Sequence, residues 1–193
     1  ALDTSAAAWL RLGESAALVG STLKGFGLQA NQARAAADML VGASNATAIG
    51  FGDLSTAVAK MTKGAVVAKQ DLASMLTTIG LAKNVGLPIE EAATGINSAL
   101  VTMATSGKEH IEKMLGGAGA LMDANTGKFK RFEDIIVEIA PKLAQLDEVA
   151  QADALHKMFG TYGLSSVGPI LQQITSGLRN ANGELVYGAE AVA

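Results

Sequence analysis

Gly86-Leu87-Pro88-Ile89-Glu90-Glu91-Ala92-Ala93-Thr94-Gly95-Ile96-Asn97-Ser98-Ala99-Leu100-Val101-Thr102-Met103 is the stretch that decides the fold. Ile89, Ala92, Ala93, Ile96, Leu100 and Met103 recur at spacings of three and four, which lines them along one stripe of an α-helix. Pro88 suits the first helical turn, where its missing N–H has no intrahelical partner to lose. Glu90 and Glu91 stand near the positive end of the helix dipole. A stripe of this kind has to be covered by other helices.

The flanking sequence supplies them. Upstream, Leu72, Met75, Leu76 and Ile79 give a helix from Lys69 that ends through Asn84 to Gly86. Before it, Asp53 is positioned to cap a helix with Leu54, Val58 and Met61 inside, closed by Gly64. An Ala-rich helix over Gln29 to Ala48 precedes Gly50-Phe51-Gly52. A first helix, about Thr4 to Lys24, carries Trp9, Leu12, Ala16, Val19 and Leu23 on one stripe and stops at Gly25 and Gly27.

Downstream, Ser106-Gly107-Lys108-Glu109 has capping-box spacing, so a helix with Ile111, Met114 and Leu115 runs from there toward Leu121. Asp123-Ala124-Asn125-Thr126-Gly127-Lys128-Phe129 is rich in residues that tolerate turn conformations, and it predicts a small β-hairpin or tight loop over 121–132. Ile135, Ile136, Ile139, Leu143 and Leu146 resume helical spacing, with Pro141 placed to kink or divide the helix. Asp147 caps another helix that ends near Phe159-Gly160. A last apolar segment, Leu164 to Leu178, leads to a turn at Asn180 to Gly183.

The fold class is therefore all-α, built from antiparallel helical hairpins. Gly27-Leu28 and Gly86-Leu87 each open an Ala-rich helix about sixty residues apart, which points to two tandem units. Chance likeness between Ala-rich helices is the alternative. The domain reading is a helical unit at 1–85, a second with the hairpin at 86–180, and a tail, 181–193, with no structure assigned.

Composition narrows the function. The 193 residues include 36 Ala and 22 Gly, with aromatic residues at 4%. Charged residues make up 17%, below the roughly 25% usual for soluble domains, and the mean hydropathy is +0.29. Part of the surface is thus expected to be covered by neighbours. A net charge of −3 without a basic block makes a poor dedicated nucleic-acid reader. Lys128, Lys130 and Arg131, alternating with Phe129 and Phe132, read as a solvated hairpin edge. The absence of cysteine excludes disulfides, thiolate metal sites and thiol nucleophiles. Residues 1–10 lack the basic start and apolar core of a secretion signal, and no methionine opens the chain, so it reads as a piece of a longer one. The uncharged run Met158 to Leu178 holds Pro169, Gln172, Gln173 and four glycines, unlike a bilayer-spanning helix.

No catalytic constellation emerges. His110 sits by Glu109 and Glu112, but a two-histidine metal face needs a second histidine one turn on, where Met114 stands. His156 has only Asp153 nearby. Neither Gly50-Phe51-Gly52 nor Gly116-Gly117-Ala118-Gly119 completes a phosphate or dinucleotide loop, so these glycines read as helix punctuation. No nucleophile elbow occurs. The sequence points to no enzyme, no cofactor and no metal.

The order of segments carries more information than any one motif. Asp38-Met39-Leu40, Gly86-Leu87-Pro88-Ile89-Glu90-Glu91-Ala92-Ala93, Leu121-Met122-Asp123-Ala124-Asn125-Thr126-Gly127-Lys128-Phe129, Asp134-Ile135-Ile136 and Met158-Phe159-Gly160 follow one another as in the core region of phage tail tape measure proteins of the TP901 type. The likeness covers about residues 20–175. The residues that carry it are Gly86, Leu87, Pro88, Asp123, Gly127, Phe129, Phe159 and Gly160, all as structural motifs. His110-Ile111-Glu112-Lys113 departs from the family's small-residue stretch.

The resemblance implies a non-enzymatic virion component of the phage tail, in the tube lumen or at the tip. It implies assembly with tail assembly chaperones, contact with tail tube and tail-tip proteins, a role in tail-length determination, and release at genome ejection. It also implies a homo-oligomer of three-fold copies and no specific nucleic-acid binding. Two rivals remain open: a membrane-active ejection element using 92–107 and 158–178 against the host membrane, and a module associated with a cell-wall hydrolase. Small side chains bury little area each, at about 25 cal/mol per Å², so modest stability in isolation is expected.

Overall fold

Runs of good helix formers, separated by glycines and capping residues, become eight α-helices among the described residues. They are α1 (Leu2–Phe26), α2 (Ala33–Thr47, after a 3-10 turn at Ala30–Gln32), α3 (Phe51–Val67), α4 (Leu72–Asn84), α5 (Ile89–Ala104), α6 (Lys108–Leu115), α7 (Phe132–Leu143) and α8 (Glu148–Ser176). The computed structural model describes residues 2–176, 178–179 and 185–186, with side-chain surroundings over 13–174. Two-residue strands β1 (Leu178–Arg179) and β2 (Leu185–Val186) pair antiparallel, Leu178 opposite Val186. The expected turn at Asn180 to Gly183 lies outside the described residues, as does all of the expected tail except Leu185 and Val186.

The all-α class read from the sequence is what the structure shows, and α5 is its centre. All six residues of its expected inner stripe are buried, and Ala93, Ile96, Leu100 and Met103 have no exposed surface. Each of the larger ones contributes about 1.5–3 kcal/mol of burial. The closest helix pairs join elements distant in sequence. Lys60 of α3 meets Glu90 and Thr94, and Gly64 meets Asn97, so α3 and α5 run parallel. Gly163 of α8 meets Ala99 and Gly160 meets Thr102, so α8 returns antiparallel on the other flank. One hydrophobic cluster runs from Leu18 to Ile174 and draws on both sides of position 85. Among the described residues, no helix is long and apolar enough to cross a membrane.

Several local expectations are corrected. Asp53 does not cap α3; Gly50 does, in extended conformation, and Asp53 lies in the first turn. The start is earlier because Ile49 is buried and Ser44 Oγ donates to its carbonyl at 2.7 Å. Gly64 does not close α3, which continues to Val67; a Cβ there would stand 2.6 Å from the Asn97 carbonyl oxygen. Ser106 forms no capping box. Gly107 occupies the N-cap of α6, and the helix stops at Leu115 rather than near Leu121. On α1, Leu18 and Thr22 are buried while Ala16 is exposed, which rotates the inner stripe; the side chains of Trp9 and Leu12 lie outside the described residues. Pro88 is the N-cap of α5, one position before the first turn. Pro141 sits in the last turn of α7 and divides nothing.

Other local signals stand. Asp147 caps α8, accepting the Ala150 N–H at 2.9 Å. The end expected near Phe159-Gly160 is a break inside α8, where Gly160 takes φ 74° and ψ 173°.

Candidate functional site

The 121–132 segment folds as a tight loop with a single antiparallel bridge, Met122 to Phe129. The Asp123 N–H donates to the Lys128 carbonyl and the Lys130 N–H to that of Leu121, both at 2.8 Å. Asp123 organises the turn. Its Oδ1 accepts from the Thr126 hydroxyl at 2.8 Å, the Thr126 N–H at 2.7 Å and the Asn125 N–H at 3.1 Å. The Thr126 hydroxyl and N–H hold the Asp123 carboxyl below its ordinary value. Gly127 follows at φ 64°, a left-handed conformation that favours glycine. Phe129 is half-buried against the core.

This loop is fastened to the corner between α3 and α4 by one side chain. Gln70 Nε2 donates to the carbonyls of Ala68 and Lys130, at 2.9 and 3.0 Å. Its Oε1 accepts from the Phe132 N–H at 2.7 Å and from Ser74 Oγ at 3.0 Å. The carboxamide thus does for Lys130 and Phe132 what one residue of a neighbouring strand would do. Ser74 Oγ also meets Glu133 Oε2. Glu133 is 2% exposed, and burial pushes its carboxyl above the usual range, against the opposing effects of Ser74, its own backbone N–H and Arg131. Its Oε1 lies 3.1 Å from Arg131 Nε without an aligned hydrogen bond. Arg131 Nη2 is also 3.7 Å from Asp71 Oδ1. Between the loop and the corner lies a cleft of about 690 Å³, lined in part by Lys69, Asp71, Met122, Lys128 and Arg131.

Leucine at position 70 removes all four hydrogen bonds and leaves buried backbone groups unpaired. The expected cost is about 2 kcal/mol. It reads as a melting temperature lower by about 4–8 °C, with faster exchange of the Phe132 amide.

The motif residues fall into three places. Asp123, Gly127 and Phe129 meet in the loop. Phe159 is fully buried and meets the end of this segment at Phe132, ring to ring at 6.0 Å and perpendicular. Gly160 packs on Thr102. Gly86 (φ 80°), Leu87 and Pro88 form the separate corner between α4 and α5, where the Leu87 N–H donates to Ala82 at 3.0 Å. His110 and His156 are exposed, and among the described residues no cluster of three potential metal ligands stands together. Gln70, Ser74 and Glu133 were not singled out from the sequence. The available signal was Glu133, which helical spacing puts on the stripe of Ile136 and Ala140.

The site is a fastening between a loop and a helical body, within an all-α protein. The chain belongs to the phage-related minor tail protein family, which it matches over residues 1–160, and so is a structural component of a phage tail. A tape measure protein of Pneumococcus phage Dp-1 is 26% identical to it over 198 residues, an alignment covering 99% of this chain and 17% of that protein. The chain thus spans about one sixth of that relative's length. No solved structure matches it.

Proposed function

We propose that this chain is a folded, non-enzymatic module of a tape measure protein, built from two helical units, 1–85 and 86–180, that share one core. It acts in tail assembly and tail-length determination, within the tube lumen or at the tip, and leaves at genome ejection. Its partners are tail tube and tail-tip proteins and tail assembly chaperones, with three-fold copies of itself. The observation that carries this reading is the alignment of nearly the whole chain with part of a tape measure protein. The parallel Gly27-Leu28 and Gly86-Leu87 corners, both at positive φ, support the two units. The module is a compact body, and length measurement resides mainly in helical segments outside it.

The test is made in the parent phage. Duplicating residues 1–180 within the gene leaves tail length unchanged in electron micrographs, whereas in-frame deletions in the flanking segments shorten tails in proportion. Tails that lengthen with each added module would overturn the division of labour. Normal tails from phage lacking the module would overturn its part in assembly.

A further inference from the structure

The fastening between loop and corner contains one hydrogen too few if every group is in its ordinary state. Gln70 cannot be turned around. Reversing its carboxamide would set an oxygen against two carbonyls and an NH₂ against the Phe132 N–H. Its Oε1 is therefore an acceptor toward Ser74. Ser74 Oγ has a single proton, and it faces Gln70 Oε1 at 3.0 Å and Glu133 Oε2 at hydrogen-bond distance. A serine can donate to one of these acceptors only. With Glu133 ionised, the other contact places two lone-pair oxygens together in a buried site. A proton on Glu133 removes the conflict: Glu133 donates to Ser74, Ser74 donates to Gln70, and Gln70 holds Lys130 and Phe132.

We propose that Glu133 is a neutral acid in the folded protein and that its proton fastens the 121–132 loop to the helical body through Ser74 and Gln70, so that rising pH unfastens it.

The surrounding charges fit a group balanced near release. The loop brings Arg131, half exposed and shared with Asp71 at the α4 cap. It also brings Lys130, which is engaged by Glu138 at 2.7 Å. α7 contributes Asp134, which opposes ionisation. α8 presents the apolar Phe159 to the adjacent Phe132. Lys69, Lys128 and Asp123 stand farther out, around the cleft. On deprotonation the proton passes to buffer, Ser74 turns to the carboxylate, and Gln70 loses a donor. The buried charge is then relieved by hydration of the first turn of α7, which separates the Phe132 N–H from Gln70 and opens the cleft.

The sign follows from linkage. A carboxyl whose proton is held more tightly in the folded state stabilises fully below its unfolded value and loses that contribution as pH rises through the folded one.

The unmodified chain is tested first, by following the Glu133 carboxyl carbon by NMR against pH. The midpoint is expected above that of glutamate in the urea-unfolded chain; an equal or lower midpoint overturns the proposal. Hydrogen exchange then reads the fastening. The Phe132 amide is expected to lose about tenfold or more in protection between about pH 5 and pH 9, while the Ile96 amide in α5 holds. Glu133→Gln supplies a permanent donor to Ser74, so its Phe132 protection stays level over that range. A raised midpoint with pH-independent Phe132 protection overturns the release, and an equal slope in Glu133→Gln overturns the role of the proton.

Discussion

Alanine at Gly107 lowers the melting temperature by about 6–12 °C, a loss of about 3 kcal/mol from a single methyl group. Gly107 has φ −84°, so backbone conformation does not require glycine there. Space does. A Cβ would stand 2.1 Å from the Met158 carbonyl oxygen, 2.8 Å from its carbon and 3.0 Å from the Thr102 carbonyl oxygen. All three are backbone atoms, so no rotamer relieves the clash, and α6 has to move away from α8. Gly95 is the informative contrast. Its Cβ would stand 1.9 Å from Ser166 Oγ, 2.7 Å from Ser166 Cβ and 2.9 Å from the Tyr162 carbonyl oxygen, so a side chain is the nearest obstacle and a backbone oxygen is a second one. Gly95→Ala is therefore destabilising alone and partly rescued by Ser166→Gly, with the Tyr162 carbonyl limiting the recovery, whereas no side-chain replacement restores Gly107→Ala. Thermal melts of the double mutant check both statements; additive losses at 95 and 166 would show that the helices do not meet as described.

Phe159→Ala costs about 4 kcal/mol, the largest loss expected from one core truncation here. Phe159 is fully buried, and its ring stands perpendicular to Phe132, the first residue of α7. Removing it leaves a void beneath the residue whose N–H bonds Gln70. The consequence therefore extends beyond the core: the Phe132 amide loses hydrogen-exchange protection at the same time. Urea unfolding measures the first effect and exchange the second. A loss of stability with the loop still fully protected would separate Phe159 from the fastening. Phe159→Leu, which restores most of the volume, recovers most of both.

How much was legible beforehand depended on the range of the interaction. The inner face of α5, the Asp147 cap, the Asp123–Gly127 turn and the break at Gly160 are all announced by residue types and spacing within a few residues of one another. The roles of Gly64 and Gly107 are not. A glycine that ends a helix and a glycine that admits a neighbouring backbone are identical in a single sequence. In sequence Gly64 reads as an end because nothing local announces Asn97, and Ser106-Gly107-Lys108-Glu109 reads as a capping box because nothing local announces the Met158 carbonyl above Gly107. Asp53 resembles a cap for a related reason: burial of Ile49, a tertiary contact, fixes where α3 begins. Glu133 does not stand out in the sequence because a charged side chain on a helix is ordinarily solvated.

Adjacent residues settle between themselves where helices form, from three- and four-residue spacing, the cap at Asp147, and a turn from Asp, Asn and Gly. Packing between distant segments sets which helices meet, with α3 parallel and α8 antiparallel to α5, and which carboxyl is enclosed with Ser74 and Gln70. The reason is physical. Local preferences act through bonds and short loops of one chain segment, whereas close approach depends on the shapes of two surfaces that the chain brings together from distant positions.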